Sequence, residues 1–365
     1  MKSIKDMTLK LDQYFQSLLE RKRIPGCGLK VRKDGELIYS KCFGVADIDS
    51  NAAVDDHTVF RLASLTKLAT AITAMRLVEE GRLSLDDSLL KFFPSFPSEK
   101  RAVTVRHLLN HCSGLGQGPA GNTFFEKNAV PGESLAERIE HMGNMPFDFQ
   151  PGESAAYSPV VGFEILGCII EIASGMSLEE TMMEILFRPL GMPDTGFTLK
   201  ENMASRLAPV YNSVDGSLVK VDAERIPLFR LIEGNKRYNS GCGGLYSTLY
   251  DYDRFTQMIY NGGALDGHRI ISEDTLRLMR KTHQLTAAHA YFPGLAWGLG
   301  FLVFEDPASA HMAVAPGTFG WSGAFGTHLF VNTQTGLCAT YMVSMADLGG
   351  GASPISRKIE SIVFE

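Results

Sequence analysis

Apolar positions along this chain recur in two periods, and each period predicts its own kind of element. Leu9, Leu11, Tyr14, Phe15, Leu18 and Leu19 stand at helical spacing and predict an amphipathic first helix that ends before Pro25-Gly26. Two short runs follow, residues 28–32 and 36–43, around Lys33-Asp34-Gly35. Asp-Gly supplies the positive φ angles of a tight turn, so the two runs form a β-hairpin. Residues 60–81, FRLASLTKLATAITAMRLVEEG, predict one long helix that is apolar all round. Leu62, Leu65, Leu68, Ala71, Ile72, Met75, Leu77 and Val78 leave no polar stripe on it, so it belongs inside the protein. Gly81 closes it as a left-handed cap.

From Leu83 to about Arg237 the pattern changes to helices and loops. Residues 104–114 predict a helix with His107 and His111 one turn apart, and residues 116–132 a long loop. A second mostly apolar helix covers 160–173, with Ser158 as N-cap and Pro159 as first residue, where a missing N–H costs nothing. Tyr157 is thereby fixed just ahead of a buried helix. Beyond residue 237 the chain turns glycine-rich. It predicts helices at Leu249–Tyr260 and 272–281, and strands within 297–304, 319–325, His328–Asn332 and 337–344. A closing helix starts at Ser353-Pro354. Helix, hairpin, helical middle, meander and helix predict an α/β fold of the α+β kind in which both chain ends share one antiparallel sheet. Residues 1–82 and 238–365 then form an α/β domain, and 83–237 a mostly helical lobe inserted between them.

Bulk properties narrow the function. The 365 residues, 45% hydrophobic and 21% charged, are ordinary for a soluble globular protein larger than one usual core. A net charge of −6 and a pI near 5.9 lack the basic footprint of a nucleic-acid partner. The one basic cluster, Arg21-Lys22-Arg23, sits at a predicted helix end, where cations offset the dipole. The longest apolar run, 160–172, is broken by Glu164 and Glu171 and is too short to span a bilayer. Charges interrupt the first residues before any apolar run, which argues against a signal peptide. The expectation is a cytoplasmic protein without a membrane partner, its six cysteines scattered, free of C-x-x-C spacing and reduced.

Candidate chemistry centres on Ser64 and Lys67, three apart and so on one helix face. Burial disfavours the charged form of a lysine, so an ammonium in this apolar frame needs a compensating group. Two further S-x-x-K copies, Ser88 to Lys91 and Ser217 to Lys220, lack such a frame and read as structural. His107 and His111 have metal-ligand spacing, but Leu108 replaces the glutamate of H-E-x-x-H and no third ligand is evident, so capping or hydrogen bonding is expected and no metal. No G-x-S-x-G elbow occurs, which excludes an α/β-hydrolase.

Ser64-Leu-Thr-Lys67, Tyr157-Ser-Pro159 and Trp321-Ser-Gly323 resemble, in order and interval, the three signature motifs of the serine β-lactamase-like superfamily, which includes the penicillin-binding proteins. The resemblance is to the class C-type branch, and in motif form to its family VIII carboxylesterases. It implies a β-lactamase/transpeptidase-like fold and a Ser64 nucleophile, with Lys67 and Tyr157 as the base system. The oxyanion hole would be the backbone N–H groups of Ser64 and of Ala324, on the strand after the third motif. No cofactor is implied. Two departures point to substrate. Pro159 stands where asparagine usually donates to a substrate amide, and Trp321 stands where a lysine or histidine faces a substrate carboxylate. With Ser322 and Gly323 they suit an uncharged small-molecule acyl ester better than an anion. A D-amino-acid peptidase, DD-carboxypeptidase or weak class C-like β-lactamase is the alternative, and a non-catalytic binding module the third reading.

Overall fold

The computed structural model describes residues 3–365 except 129, 131, 223–228, 230, 231, 233, 234, 236, 283–292, 351 and 352. Helix α1 (Ile4–Glu20) buries Met7, Leu11, Phe15 and Leu18, whereas Leu9 faces solvent. Strands β1 (Gly26–Lys33) and β2 (Glu36–Asp47) form the predicted hairpin, with Asp34 and Gly35 at φ +52° and +84°. β3 (Ala52–Ala53) extends it.

The predicted helix over 60–81 is shorter than expected. Val59–Arg61 is a strand paired with Tyr246–Thr248, Ala63–Leu65 is a tight 3-10 turn, and helix α2 runs Thr66–Glu79. The reason is local: Phe60 and Arg61 spend their backbone on the pairing, and Ala63 at φ +47° interrupts any helix through it. Helix α3 (Val105–Leu109) likewise stops short of 114 because His111 turns the chain at φ +60°. The predicted loop after Gly116 contains a short helix, Pro119–Lys127, while 129 and 131 lie outside the described residues. Helix α4 (Val161–Ser174) begins after Ser158, which still caps it by accepting a 3.0 Å bond from the Gly162 N–H. Helix α5 (Leu249–Tyr260) lies where predicted.

The predicted run 297–304 folds back on itself as β4 (Leu295–Trp297) and β5 (Leu302–Phe304). Gly300 makes the turn at φ +90°, where a Cβ would meet the Ala71 side chain at 2.4 Å. β6 (Thr318–Ser322), β7 (His328–Asn332), β8 (Leu337–Val343) and helix α6 (Pro354–Phe364) complete the chain.

The described residues form an eight-stranded antiparallel sheet in the order β4-β5-β6-β7-β8-β1-β2-β3. β1 pairs with β8, Cys27 opposite Val343, so strands from the two chain ends meet in its middle. Helices α1 and α6 cover one face through Phe15, Tyr341 and Ile359. α5 and the buried α2 cover the other, and α2 packs on α4. The hairpin Val210–Val214 with Ser217–Val221, expected within the helical lobe, bonds to the sheet side instead: the Tyr211 N–H donates to the Ser344 carbonyl at 3.1 Å. Among the described residues no single helix is long and apolar enough to cross a membrane.

Candidate active site

Ser64 is held on its tight turn by three bonds from outside. The Leu62 N–H donates to the Leu245 carbonyl at 2.9 Å, the Leu245 N–H to Thr66 Oγ1 at 3.1 Å, and Tyr252 Oη to the Leu65 carbonyl at 2.7 Å. Ala63, in the left-handed region just before it, is strained backbone of the kind that such anchoring sustains. Ser64 is half-buried between buried neighbours, so its hydroxyl reaches the surface of the core while the backbone on either side is enclosed.

Lys67 is 1% exposed, and its ammonium has three protons and three acceptors. Nζ donates to Ser64 Oγ at 3.1 Å, to the Pro159 carbonyl at 2.7 Å and to the Cys242 carbonyl at 2.9 Å. From the other side Tyr157 Oη lies 2.9 Å from Ser64 Oγ. The serine oxygen is thus gripped between an amine on α2 and a phenol from the segment just ahead of α4, 93 residues further along the chain than Ser64.

Both tryptophans of the sequence pack on Tyr157. Trp297 stacks on it at 5.5 Å and 13°, Trp321 lies at 4.9 Å, and the Trp321 Nε1–H donates to Tyr157 Oη at 3.3 Å. His111 closes this aromatic box, 5.0 Å from Tyr157 and 4.4 Å from Trp297. Burial, and then the Lys67 charge, push the His111 imidazole well below its ordinary range, so it is neutral. Its Nδ1 accepts the Ser158 N–H at 3.2 Å and fixes the backbone beside Tyr157. His107 takes the capping role: its Nδ1 accepts the Thr104 N–H. Among the described residues no three metal-ligating side chains gather.

The third motif divides across its strand. Trp321 faces Tyr157, but successive strand residues point to opposite faces, so Ser322 points the other way. Its Oγ lies 2.7 Å from His328 Nδ1, and His328 Nε2 lies 3.0 Å from Glu360 Oε1 on α6. The Ser322 side chain, expected to touch substrate, is therefore engaged beneath the sheet. Gly323 packs so closely that a Cβ would sit 2.1 Å from the Leu62 carbonyl oxygen. Thr327 Oγ1 donates to that same carbonyl at 3.0 Å, which ties the motif to the Ser64 turn. Ala324 lies just past the end of β6, in the turn closed by the Gly326 N–H on the Gly323 carbonyl, rather than on a strand. Pro159 is exposed and contributes its carbonyl to Lys67.

The family model described as Beta-lactamase matches residues 11–359. This chain belongs to the beta-lactamase family. Esterase EstB of Burkholderia gladioli is 29% identical over 388 residues, covering 98% of this beta-lactamase-family chain and 95% of its own length. A putative D-alanyl-D-alanine carboxypeptidase of Escherichia coli K12 is 26% identical over 328 residues, covering 83% and 74%. Among solved structures, EstCE1, titled a hydrolase with promiscuous acyltransferase activity, superposes with a TM-score of 0.86 over 99% of each chain at 23% identity, a likeness of fold.

Within this beta-lactamase-family site, Ser64, Lys67, Tyr157 and Trp321 come together. Sequence reasoning missed Trp297 as a partner of Tyr157; being one of only two tryptophans was its sole signal. It also passed over Glu164, which lies fully buried on α4. A charge breaking an apolar run was the sign.

Proposed function

We propose that this protein is a serine hydrolase that cleaves carboxylic esters through a Ser64 acyl-enzyme. The observation that carries the reading is the Ser64 oxygen held at 3.1 Å from Lys67 Nζ and 2.9 Å from Tyr157 Oη. Both are within reach for moving its proton. Ser64 Oγ attacks the ester carbonyl carbon while its proton passes to the Lys67–Tyr157 pair, which takes it only in the state that holds one proton fewer than ammonium plus phenol. The oxyanion is met by the backbone N–H groups of Ser64 and Ala324. The C–O bond to the alcohol breaks, and the alcohol leaves with the proton from the pair. Water then attacks the acyl carbon, gives a proton to the same pair, and the carboxylic acid leaves as Ser64 recovers its proton.

The substrate class follows from the walls. Trp321 presents an aromatic ring whose N–H is already engaged with Tyr157. Pro159 has no side-chain amide and its carbonyl is taken by Lys67. An uncharged acyl ester suits such walls, and the similarity to an esterase supports that choice. Similarity to a putative carboxypeptidase keeps a D-peptidase as second reading. Turnover of p-nitrophenyl butyrate, nitrocefin and a D-alanyl-D-alanine peptide separates them, with the ester expected fastest. Faster peptide or nitrocefin cleavage overturns the substrate reading, and a phosphonate probe mapping to any residue but Ser64 overturns the mechanism.

A further inference from the structure

Behind Lys67 lies a buried carboxyl group that this mechanism leaves unused. Glu164 is wholly buried on α4, seven residues after Tyr157, and accepts a hydrogen bond from the Ser240 hydroxyl. Ser240 and Cys242 belong to one turn wedged between α2 and α4. A Cβ on Gly241 would meet the Phe163 carbonyl at 2.5 Å, and Thr70 Oγ1 donates to the Gly241 carbonyl at 2.7 Å. The Cys242 carbonyl of that turn accepts from Lys67 Nζ at 2.9 Å. Glu164 therefore secures, through Ser240, the turn on which the ammonium rests.

The charges agree with the contacts. All three Lys67 protons go to uncharged oxygens, so compensation for this buried ammonium must come from a little further off. The groups facing Glu164 are Lys67 from α2, Arg138 from the helix Leu135–His141, Cys168 one turn along α4, and Tyr238 and Cys242 from the segment leading to and through the turn. Burial pushes the Glu164 carboxyl up to about 7, against the opposing pull of Cys242, Ser240, Lys67 and Arg138. Around neutral pH it thus carries a substantial share of negative charge a short way from the base system.

We propose that Glu164 is a positioning residue of the acylation machinery, its buried charge compensating the Lys67 ammonium and its bond to Ser240 holding the Cys242 carbonyl in place. The proposal rests on the reading of Ser64 as nucleophile and of Lys67 with Tyr157 as its base.

Glu164→Gln tests it, because glutamine keeps the shape and the acceptor for Ser240 but loses the charge. The acidic limb of kcat/KM against pH reports the essential base of the free enzyme. Removing a nearby negative charge loosens that base's hold on its proton, so with p-nitrophenyl butyrate the limb's midpoint moves to lower pH by ~1 unit. Glu164→Asp, which restores the charge, brings the midpoint back toward wild type. Ser240→Ala removes the donor that favours the ionised carboxyl and moves the midpoint the same way by less. A midpoint that stays put in both Glu164→Gln and Ser240→Ala, with only thermal stability lowered, overturns the proposal. Phosphonate labelling is run beside each profile. Wild type unlabelled at Ser64 means that the nucleophile reading has failed, whereas labelled protein with an unmoved limb means that only the role of Glu164 has.

Discussion

Among the described residues, two serine hydroxyls lie within hydrogen-bond reach of a nitrogen base that has a buried carboxyl behind it. Ser64 has Lys67 and, beyond it, Glu164; Ser322 has His328 and Glu360. By residue type the second cluster has more of a hydrolase about it, since serine, histidine and an acid make up many triads. Its placement denies that role. Ser322 is 3% exposed at the end of a sheet strand and Glu360 is 3% exposed on α6, which seals that face. Ser64 is half-buried on a strained turn, open to the aromatic box, with a phenol as well as an amine on its oxygen. Access and a second proton-handling group separate a reactive serine from a structural one; the list of residue types does not.

The largest effect should come from the serines themselves. Ser64→Ala is expected to lower kcat/KM for an acyl ester by ~10⁴–10⁶-fold, the scale of losing a catalytic nucleophile, and to abolish phosphonate labelling. Ser322→Ala should keep labelling. It leaves the buried His328 ring short of a partner, which costs roughly 1–3 kcal/mol and shows as a lower Tm. Labelling that survives at Ser64→Ala and vanishes at Ser322→Ala would invert the comparison. Tyr157→Phe comes next: turnover falls by ~10²–10⁴-fold with circular dichroism unchanged, because the ring still packs against Trp297 and Trp321 while the proton route is cut.

The two clusters are joined through Gly323, and there activity and packing meet. A Cβ at that position would sit 2.1 Å from the Leu62 carbonyl oxygen and 2.2 Å from Thr327 Oγ1. The contact with the Leu62 carbonyl, being backbone, cannot be relieved without shifting the β6 end from the Ser64 turn. Gly323→Ala should therefore cost ~10²-fold in kcat/KM, the usual penalty for displacing reacting groups by about an ångström. An equal loss in Glu360→Ala would mean that the α6 cluster, and not the glycine contact, sets the position of the motif.

What could be read beforehand follows the range of the interaction. Ser64 and Lys67 were legible because three-residue spacing on an apolar helix is a local signal, and Tyr157 because Ser158 and Pro159 mark a helix start. The sheet was legible in outline because Asp34-Gly35 is a turn signal between two short runs and the last third of the chain reads as a series of short strands. Helix starts were misplaced where a distant pairing takes over the backbone, as 246–248 does for Phe60 and Arg61. The turn of Ser322 away from Trp321 could have been drawn from strand alternation alone. Trp297 could not: its contact with Tyr157 joins the helical middle to the far side of the sheet segment and depends on how β4 sits beside α3 and α4.

The smallest expected effect separates the carboxyl behind Lys67 from an ordinary buried acid. Glu164 binds its proton more tightly folded than unfolded, about 7 against an ordinary 4.5. Its contribution to stability is therefore complete below about 4.5 and is lost as pH rises through about 7, by roughly 3 kcal/mol in all. His111 works in the opposite sense: burial favours its neutral form, so its contribution is complete above its ordinary 6.5 and is lost as pH falls. The two slopes partly cancel in wild type, so an ordinary melting profile hides both. Glu164→Gln removes only the first. Its Tm relative to wild type should rise by several degrees between pH 5 and 7.5, measured by differential scanning calorimetry, since across that window only the folded wild type holds a proton that its unfolded chain releases. A constant difference would mean that Glu164 titrates alike folded and unfolded, so that it stands fully ionised behind Lys67 at neutral pH and its burial leaves no mark on the pH dependence of stability.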